Sequence, residues 1–233
     1  MPIPKGIKLT SLKKYPEHSV FIVGGGHFGG RAAEVLSEKQ GFENIFMIDE
    51  NEDSLSCHDD IPAHRIKNEG IDFLVDNFRY FDPDHTIVPA VPVHLAFLWL
   101  KAFLYGKYNV KRTETSPSVK SVLPNALEGS EGSLLTSYAD FLCPDDCPEP
   151  DSCTVTGARR EMPLFKLIKS LEVPGFEVYV LRSRQLAPGV GGYKVKDMSE
   201  MLSRISGSGI NKWILGTSCK CHGILTSFEI EEI

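Results

Sequence analysis

The 233-residue sequence has no long uninterrupted apolar run, no surplus of positive charge, no internal repeat and no low-complexity tract. Its longest apolar stretch, Val93 to Tyr105, is broken by His94 and Lys101 and is shorter than the ~20 residues a membrane helix needs. The basic opening MPIPKGIKLTSLKKYPEHS lacks an apolar segment followed by a small-residue cleavage site, so it does not read as an export signal. A formal net charge of −6 argues against a general polyanion binder, because phosphate backbones demand clustered Lys and Arg. These absences lead to the expectation of a soluble, cytoplasmic protein with no nucleic-acid partner and no membrane insertion. What is present is ordinary for a globular chain: 42% hydrophobic and 24% charged residues, and enough length for one substantial core. With no linker marked, residues 1–233 read as a single domain, 1–105 forming one half and 106–233 an elaborated second half.

The first hundred residues alternate strand and helix. Ser19 to Val23 is an unbroken run of β-formers, as in a strand buried on both faces. Phe28, Ala32, Val35 and Leu36 then share a helical face, with Gly41 as a stop. Further strands are expected at Asn44 to Ile48, Ala63 to Ile66 and His85 to Val91. Helices are expected around Ile71 to Phe78 and from Pro92 to about Tyr105, Pro92 suiting a first helical position. This order implies an α/β fold, Rossmann-like and doubly wound, on a mostly parallel sheet. In the second half, residues 106–118 read as an exposed connection, Val119 to Leu123 as a fifth strand and Ala187 to Gly192 as a flexible loop. Leu164 to Leu171 and Met198 to Ile205 read as helices; Phe176 to Leu181, Trp213 to Leu215 and Ile224 to Phe228 read as strands.

The strongest motif is Gly24-x-Gly26-x-x-Gly29, between the first strand and the first helix. Gly24 permits a tight turn, Gly26 lets backbone approach a pyrophosphate, and Gly29 lets helix and strand pack closely. The pyrophosphate would meet free N–H groups at the helix's positive end, beside His27 and Phe28. Asp49, 20 residues after Gly29 at the end of the second strand, is placed to accept the adenosine ribose hydroxyls. With Glu50 next and no Arg or Lys to receive a 2′-phosphate, NAD(H) is the expected dinucleotide. Gly24, Gly26, His27, Phe28, Gly29, Asp49 and Glu50 form the expected cofactor-binding set.

Three stretches, Phe21-Ile-Val-Gly-Gly-Gly-His-Phe-Gly-Gly-Arg-Ala-Ala-Glu-Val-Leu, Phe46-Met-Ile-Asp-Glu-Asn and Asn68-Glu-Gly-Ile-Asp-Phe-Leu, resemble the TrkA-N (RCK-type) NAD-binding domain. The resemblance covers about residues 18–100. It implies a nucleotide-binding half like those of potassium-uptake regulatory subunits and some oxidoreductases. Asn68-Glu69-Gly70 replaces that family's usual Gly-Asp after the third strand. The triple glycine is also similar to precorrin-2 dehydrogenases.

Six cysteines without an export signal suggest metal or redox chemistry before disulfides. Cys143, Cys147 and Cys153 share a proline-rich segment, and Cys219, Cys221 and His222 follow an apolar strand. Soft ligands from two segments suit zinc or an iron–sulfur cluster, although the spacing matches no familiar CxxC pair. His94, expected in a helix's first turn on the sheet rim, is the candidate catalytic acid, base or electrophile, its pKa lowered by the helix N-terminus; the alternative is a hydrogen-bonded histidine on a largely apolar helix. Arg159, Arg160 and Tyr193 are further polar candidates; a solvated surface position or a loop role explains each as simply. Two functions follow: an NAD-dependent oxidoreductase acting on a small molecule, or a nucleotide-sensing regulator of the TrkA/RCK type governing potassium transport. Partners would be the dinucleotide, a small molecule and a second copy in a homodimer.

Overall fold

The computed structural model describes residues 14–39 and 41–233. Residues 1–13 of the stretch weighed above as a leader lie outside the described residues. The first half contains β1 (Val20–Val23), α1 (His27–Ser37), β2 (Ile45–Asp49), α2 (Glu52–Ser56), β3 (His64–Lys67), α3 (Gly70–Asn77), β4 (Thr86–Pro89) and α4 (Leu95–Phe103). Next come β5 (Tyr108–Thr113), α5 (Pro117–Val122), β6 (Leu127–Glu128), β7 (Leu134–Ser137) and α6 (Leu164–Lys169). The chain closes with β8 (Glu177–Arg182), β9 (Arg184–Ala187), β10 (Val190–Lys194), α7 (Val195–Gly207), β11 (Lys212–Ser218) and β12 (His222–Glu232).

Two sheets result, and the fold is mixed α/β with both parallel and antiparallel strands. The first has the order β3-β2-β1-β4-β10-β9; β3, β2, β1 and β4 run parallel, whereas β10 and β9 add an antiparallel hairpin. The second has the order β6-β7-β12-β11-β8. There β11 runs parallel to β8 and antiparallel to β12, and β5 lies beside the second half of β12.

Residue alternation on the strands explains the layering. Val20 and Ile22 face α1 and α2 through Ala32, Ala33, Leu36 and Leu55. Phe21 and Val23 face the opposite way, into a core shared with α3, α4 and α7. That same core reaches Trp213, Leu215 and Phe228 of the second sheet, so the three helices lie between the sheets. Ile214 and Leu225 point to the far side, where α5 and α6 cover them through Val119, Leu164 and Ile168. Trp99 and Trp213 are 0% and 1% exposed, and full burial of large apolar side chains contributes about 1.5–3 kcal/mol each.

Four sequence expectations are corrected. Residues 108–113, expected as exposed connection, form β5, held by pairing with Ser227 to Glu232 of β12. Val119 to Leu123, expected as a strand, lie mostly in helix α5, whose start is set by Pro117 and by Ser116, the N-cap that accepts the Ser118 N–H. Ala187 to Gly192, expected as a loop, is the turn and adjoining strand ends of the β9–β10 hairpin. Pro92 does not open α4; it stands in a bend, and the helix begins at Leu95 with His94 as N-cap.

The turn from β1 into α1 is a close backbone approach. Gly24 has φ +107°, donates its N–H to Ile48 O at 2.8 Å, and packs against the Ala90 carbonyl. A Cβ on Gly29 would overlap the carbonyl oxygen of Gly24, a backbone atom with no room to retreat. Gly29→Ala is therefore expected to lower unfolding stability by about 1–3 kcal/mol, the range for overpacking. Urea denaturation of the two proteins measures it, and an unchanged midpoint would show that α1 sits farther from the strand.

Candidate functional site

The carboxyl ends of β1, β2 and β4 meet at the glycine turn. Gly25 donates its N–H to Asp49 Oδ2 at 2.6 Å, and Asn51 donates to Asp49 Oδ1 at 2.8 Å. Each carboxylate oxygen retains lone-pair capacity for a further donor. Gly26 is the N-cap of α1, provides no side-chain cap, and has open space where a Cβ would stand. The first-turn N–H groups of the helix therefore face a bare surface. His58 supports the turn from beneath: its Nε2–H donates to Gly25 O at 3.1 Å, and its ring fills the place of a Cβ on Gly30. A cavity of about 120 Å³ opens beside the turn, lined by Gly24, Asp49, Glu50, Glu69, Ile71 and Val91 among others.

The other sequence-singled residues of the loop lie nearby. Phe28 is 64% exposed, with its ring over a second, larger cavity of about 560 Å³. His27 donates from Nε2 to Asp145 Oδ2 at 3.0 Å, which ties the glycine turn to the cysteine segment. Both groups are largely exposed, so this pair contributes little to stability. Stronger anchors hold that segment: Cys147 O accepts the Gly189 N–H at 2.9 Å and Gln185 Nε2 at 2.7 Å. Farther along, the Lys220 N–H donates to Glu149 Oε1 at 2.6 Å.

This docking gathers the cysteines. Cys143, Cys147, Cys219, Cys221 and His222 line the 560 Å³ cavity with Phe28. Cys153 lines an adjoining cavity of about 600 Å³, into which Arg159 and Arg160 also face. All six thiols are free, and exposed Cys57 stands apart. Cys143 Sγ lies 3.5 Å from His222 Nε2, and Cys219 Sγ lies 3.8 Å from His222 Nδ1. Among the described residues, no three His, Cys, Asp or Glu side chains are arranged to hold a metal ion. Burial pushes the Cys219 thiol up to about 12, with Glu149 adding to the rise. Burial likewise pushes Cys221 up to about 12 and lowers His222. Cys143 is raised by burial and by neighbouring thiols, whereas hydrogen bonds from Thr156 and Val155 lower Cys153.

His94 is elsewhere. It is 2% exposed, and its Nδ1 and Nε2 lie 2.8 and 3.0 Å from the hydroxyls of Thr226 and Thr217. With both nitrogens engaged, the ring pins α4 to β11 and β12, and neither is free to exchange a proton with a ligand. Its pKa is pushed down to about 3 by burial and then by Arg112, not by the helix terminus. The ring contributes to a cavity of about 400 Å³, shared with Ser183, Thr217 and Tyr193. Tyr193, expected on a loop, is 1% exposed on β10; its hydroxyl has no hydrogen-bond partner and burial raises its pKa.

Sequence reasoning missed Asp145, Glu149 and the supporting role of His58. Their partners are 118, 71 and 33 residues away, so no local pattern announces them.

His94 gives a pH signature. Its folded pKa, about 3, lies below the unfolded value near 6.5, so the unfolded chain binds the extra proton between these limits. Its contribution to stability is full above pH ~6.5 and is lost as pH falls toward ~3. The slope of unfolding free energy against pH should be shallower in His94→Gln by up to about 1.4 kcal/mol per pH unit, measured by denaturation at several acid pH values. Equal slopes would mean the imidazole is hydrated in the fold.

An uncharacterized protein of Archaeoglobus fulgidus is 27% identical over 222 residues, covering 89% of this chain and 98% of the relative. Residues 96–231, starting within α4 and including every strand of the second sheet, match a family model described as "Uncharacterized protein, C-terminal domain". That match takes in more than half of the sequence, and the chain belongs to this family.

Proposed function

We propose that the chain binds NAD(H) at the glycine turn of a Rossmann-like, doubly wound first sheet and acts as an oxidoreductase on a small molecule. The observation that carries this reading is the uncapped, unobstructed start of α1 beside an anchored carboxylate. Gly26 leaves room for a pyrophosphate against the first-turn N–H groups. Asp49, fixed by two backbone N–H groups, is positioned for the adenosine ribose. The small cavity beside it carries Glu50 and Glu69, and the nearby cation Lys67 is already paired with Glu52 at 2.7 Å. A 2′-phosphate would meet uncompensated negative charge there, which favours NAD(H) over NADP(H).

A dinucleotide starting at Asp49 and crossing the turn runs toward the carboxyl end of β4. The 400 Å³ cavity there is lined by Pro89 and by Tyr193, whose buried hydroxyl has no hydrogen-bond partner. The observations do not separately favour a regulator of the TrkA/RCK type; a pure sensor would bind the nucleotide and leave it unconsumed.

Gly26→Ala tests the carrying observation. At φ −71° with open space around it, the new methyl strains nothing, so stability should change by less than about 0.5 kcal/mol. The methyl would occupy the phosphate's place, and NADH affinity should fall at least about tenfold, or 1.4 kcal/mol. Fluorescence titration with NADH reads this, and NADPH should bind the parent chain more weakly. Unchanged NADH affinity in the variant would remove the turn from the binding site.

A further inference from the structure

We propose that Cys143, Cys147, Cys219 and Cys221 together hold an iron–sulfur cluster in the cavity they share beside Phe28. This does not rest on the nucleotide reading, since the thiols form the chamber whether or not a dinucleotide binds.

Four thiols, two from each of two distant segments, are the complement that two-iron and four-iron clusters take from a protein. They line one cavity of about 560 Å³. A single tetrahedral ion would draw its sulfurs to about 2.3 Å from one centre. No three donors among the described residues are gathered in that way. A cluster holds iron and inorganic sulfide among its thiols and needs the larger room. The fifth thiol of the region, Cys153, lines the adjoining cavity, which Cys143, Cys147 and Cys221 also border, and not the one that Cys219 shares with them.

The surroundings suit cluster ligation. Cys219 Sγ accepts the N–H groups of Cys221 at 3.4 Å and His222 at 3.3 Å. His222 lies beside the thiols, its Nε2 3.5 Å from Cys143 Sγ and its Nδ1 3.8 Å from Cys219 Sγ. Hydrogen bonds of this kind to ligand sulfurs orient them and set a cluster's potential. The two segments are joined independently by Glu149 and the Lys220 N–H, so the cradle exists before loading. Assembly takes inorganic sulfide and iron from solution, ferric iron for a two-iron cluster or equal ferric and ferrous iron for a four-iron one, so that no outside oxidant is needed, and each coordinating thiol releases its proton. The loaded site would be a one-electron carrier. Phe28, in the first turn of α1, separates it from the glycine turn.

The test is anaerobic purification of the full chain supplied with ferric and ferrous iron and sulfide, followed by iron, zinc and acid-labile sulfide analysis. The expected protein is brown, carries iron and sulfide in equal amounts, and loses its visible absorbance on reduction with dithionite. Cys143→Ser and Cys221→Ser should lose the iron while keeping the parent far-ultraviolet circular dichroism. Cys153→Ser and Cys57→Ser should keep it. His222→Ala should keep the iron and shift the reduction potential. Zinc without sulfide, no bound metal, or iron retained in the folded Cys221→Ser protein would each overturn the proposal. NADH titration of the same samples separates this outcome from the fate of the nucleotide reading.

Discussion

The contact between Gly29 and the carbonyl of Gly24 sets the geometry on which the candidate sites depend. Only a residue without a Cβ lets α1 come this close to the end of β1, and that closeness brings the helix start level with the carboxyl ends of β2 and β4. Gly30 then admits the ring of His58, whose hydrogen bond to Gly25 O steadies the turn. Asp49 completes the arrangement by holding the Gly25 and Asn51 N–H groups. Backbone, one imidazole and one carboxylate thus keep the turn open and rigid, the precondition for the nucleotide binding proposed above.

The second sheet matters because it brings distant chain to the same edge. Its helices α3, α4 and α7 share a core with the first sheet, so the two sheets are packed through a common layer. Buried His94 fixes the start of α4 to Thr217 and Thr226 at the end where β11 and β12 approach their turn. That turn carries Cys219, Cys221 and His222, and the β9–β10 hairpin clamps Cys147 from the other side. The region matching the family model therefore supplies both the second sheet and the hairpin that extends the first.

Much of the first half was legible because its signals are local. Val20 to Val23 is apolar throughout as a two-faced strand must be, and a Gly24-x-Gly26-x-x-Gly29 spacing directly after it has few physical explanations. The second half hid its structure in long-range pairing. β5 buries only Val110 well, and it is a strand because β12 supplies its hydrogen bonds more than a hundred residues later. In α5 the Ser116-Pro117 start was a readable cap, but two valines in a short segment suggested a strand. The glycines of the β9–β10 hairpin read as flexibility, yet Gly189 abuts Asp145 O and Gly192 abuts Ile87 O, so they mark close packing. The cysteine grouping was visible as two clusters, but only the fold shows which thiols share one chamber. His94 was legible as a polar group at the head of an apolar helix, while its work, joining that helix to two threonines, depends on residues no local pattern links to it.

The most direct measurement of the central claim is amide chemical-shift mapping of the isotope-labelled chain as NAD⁺ is added. The account predicts that the largest perturbations fall on Gly25, Gly26, His27 and Phe28, with Asn51 following as Asp49 takes up the ribose. Perturbations confined to other surfaces, or none at saturating nucleotide, would contradict it.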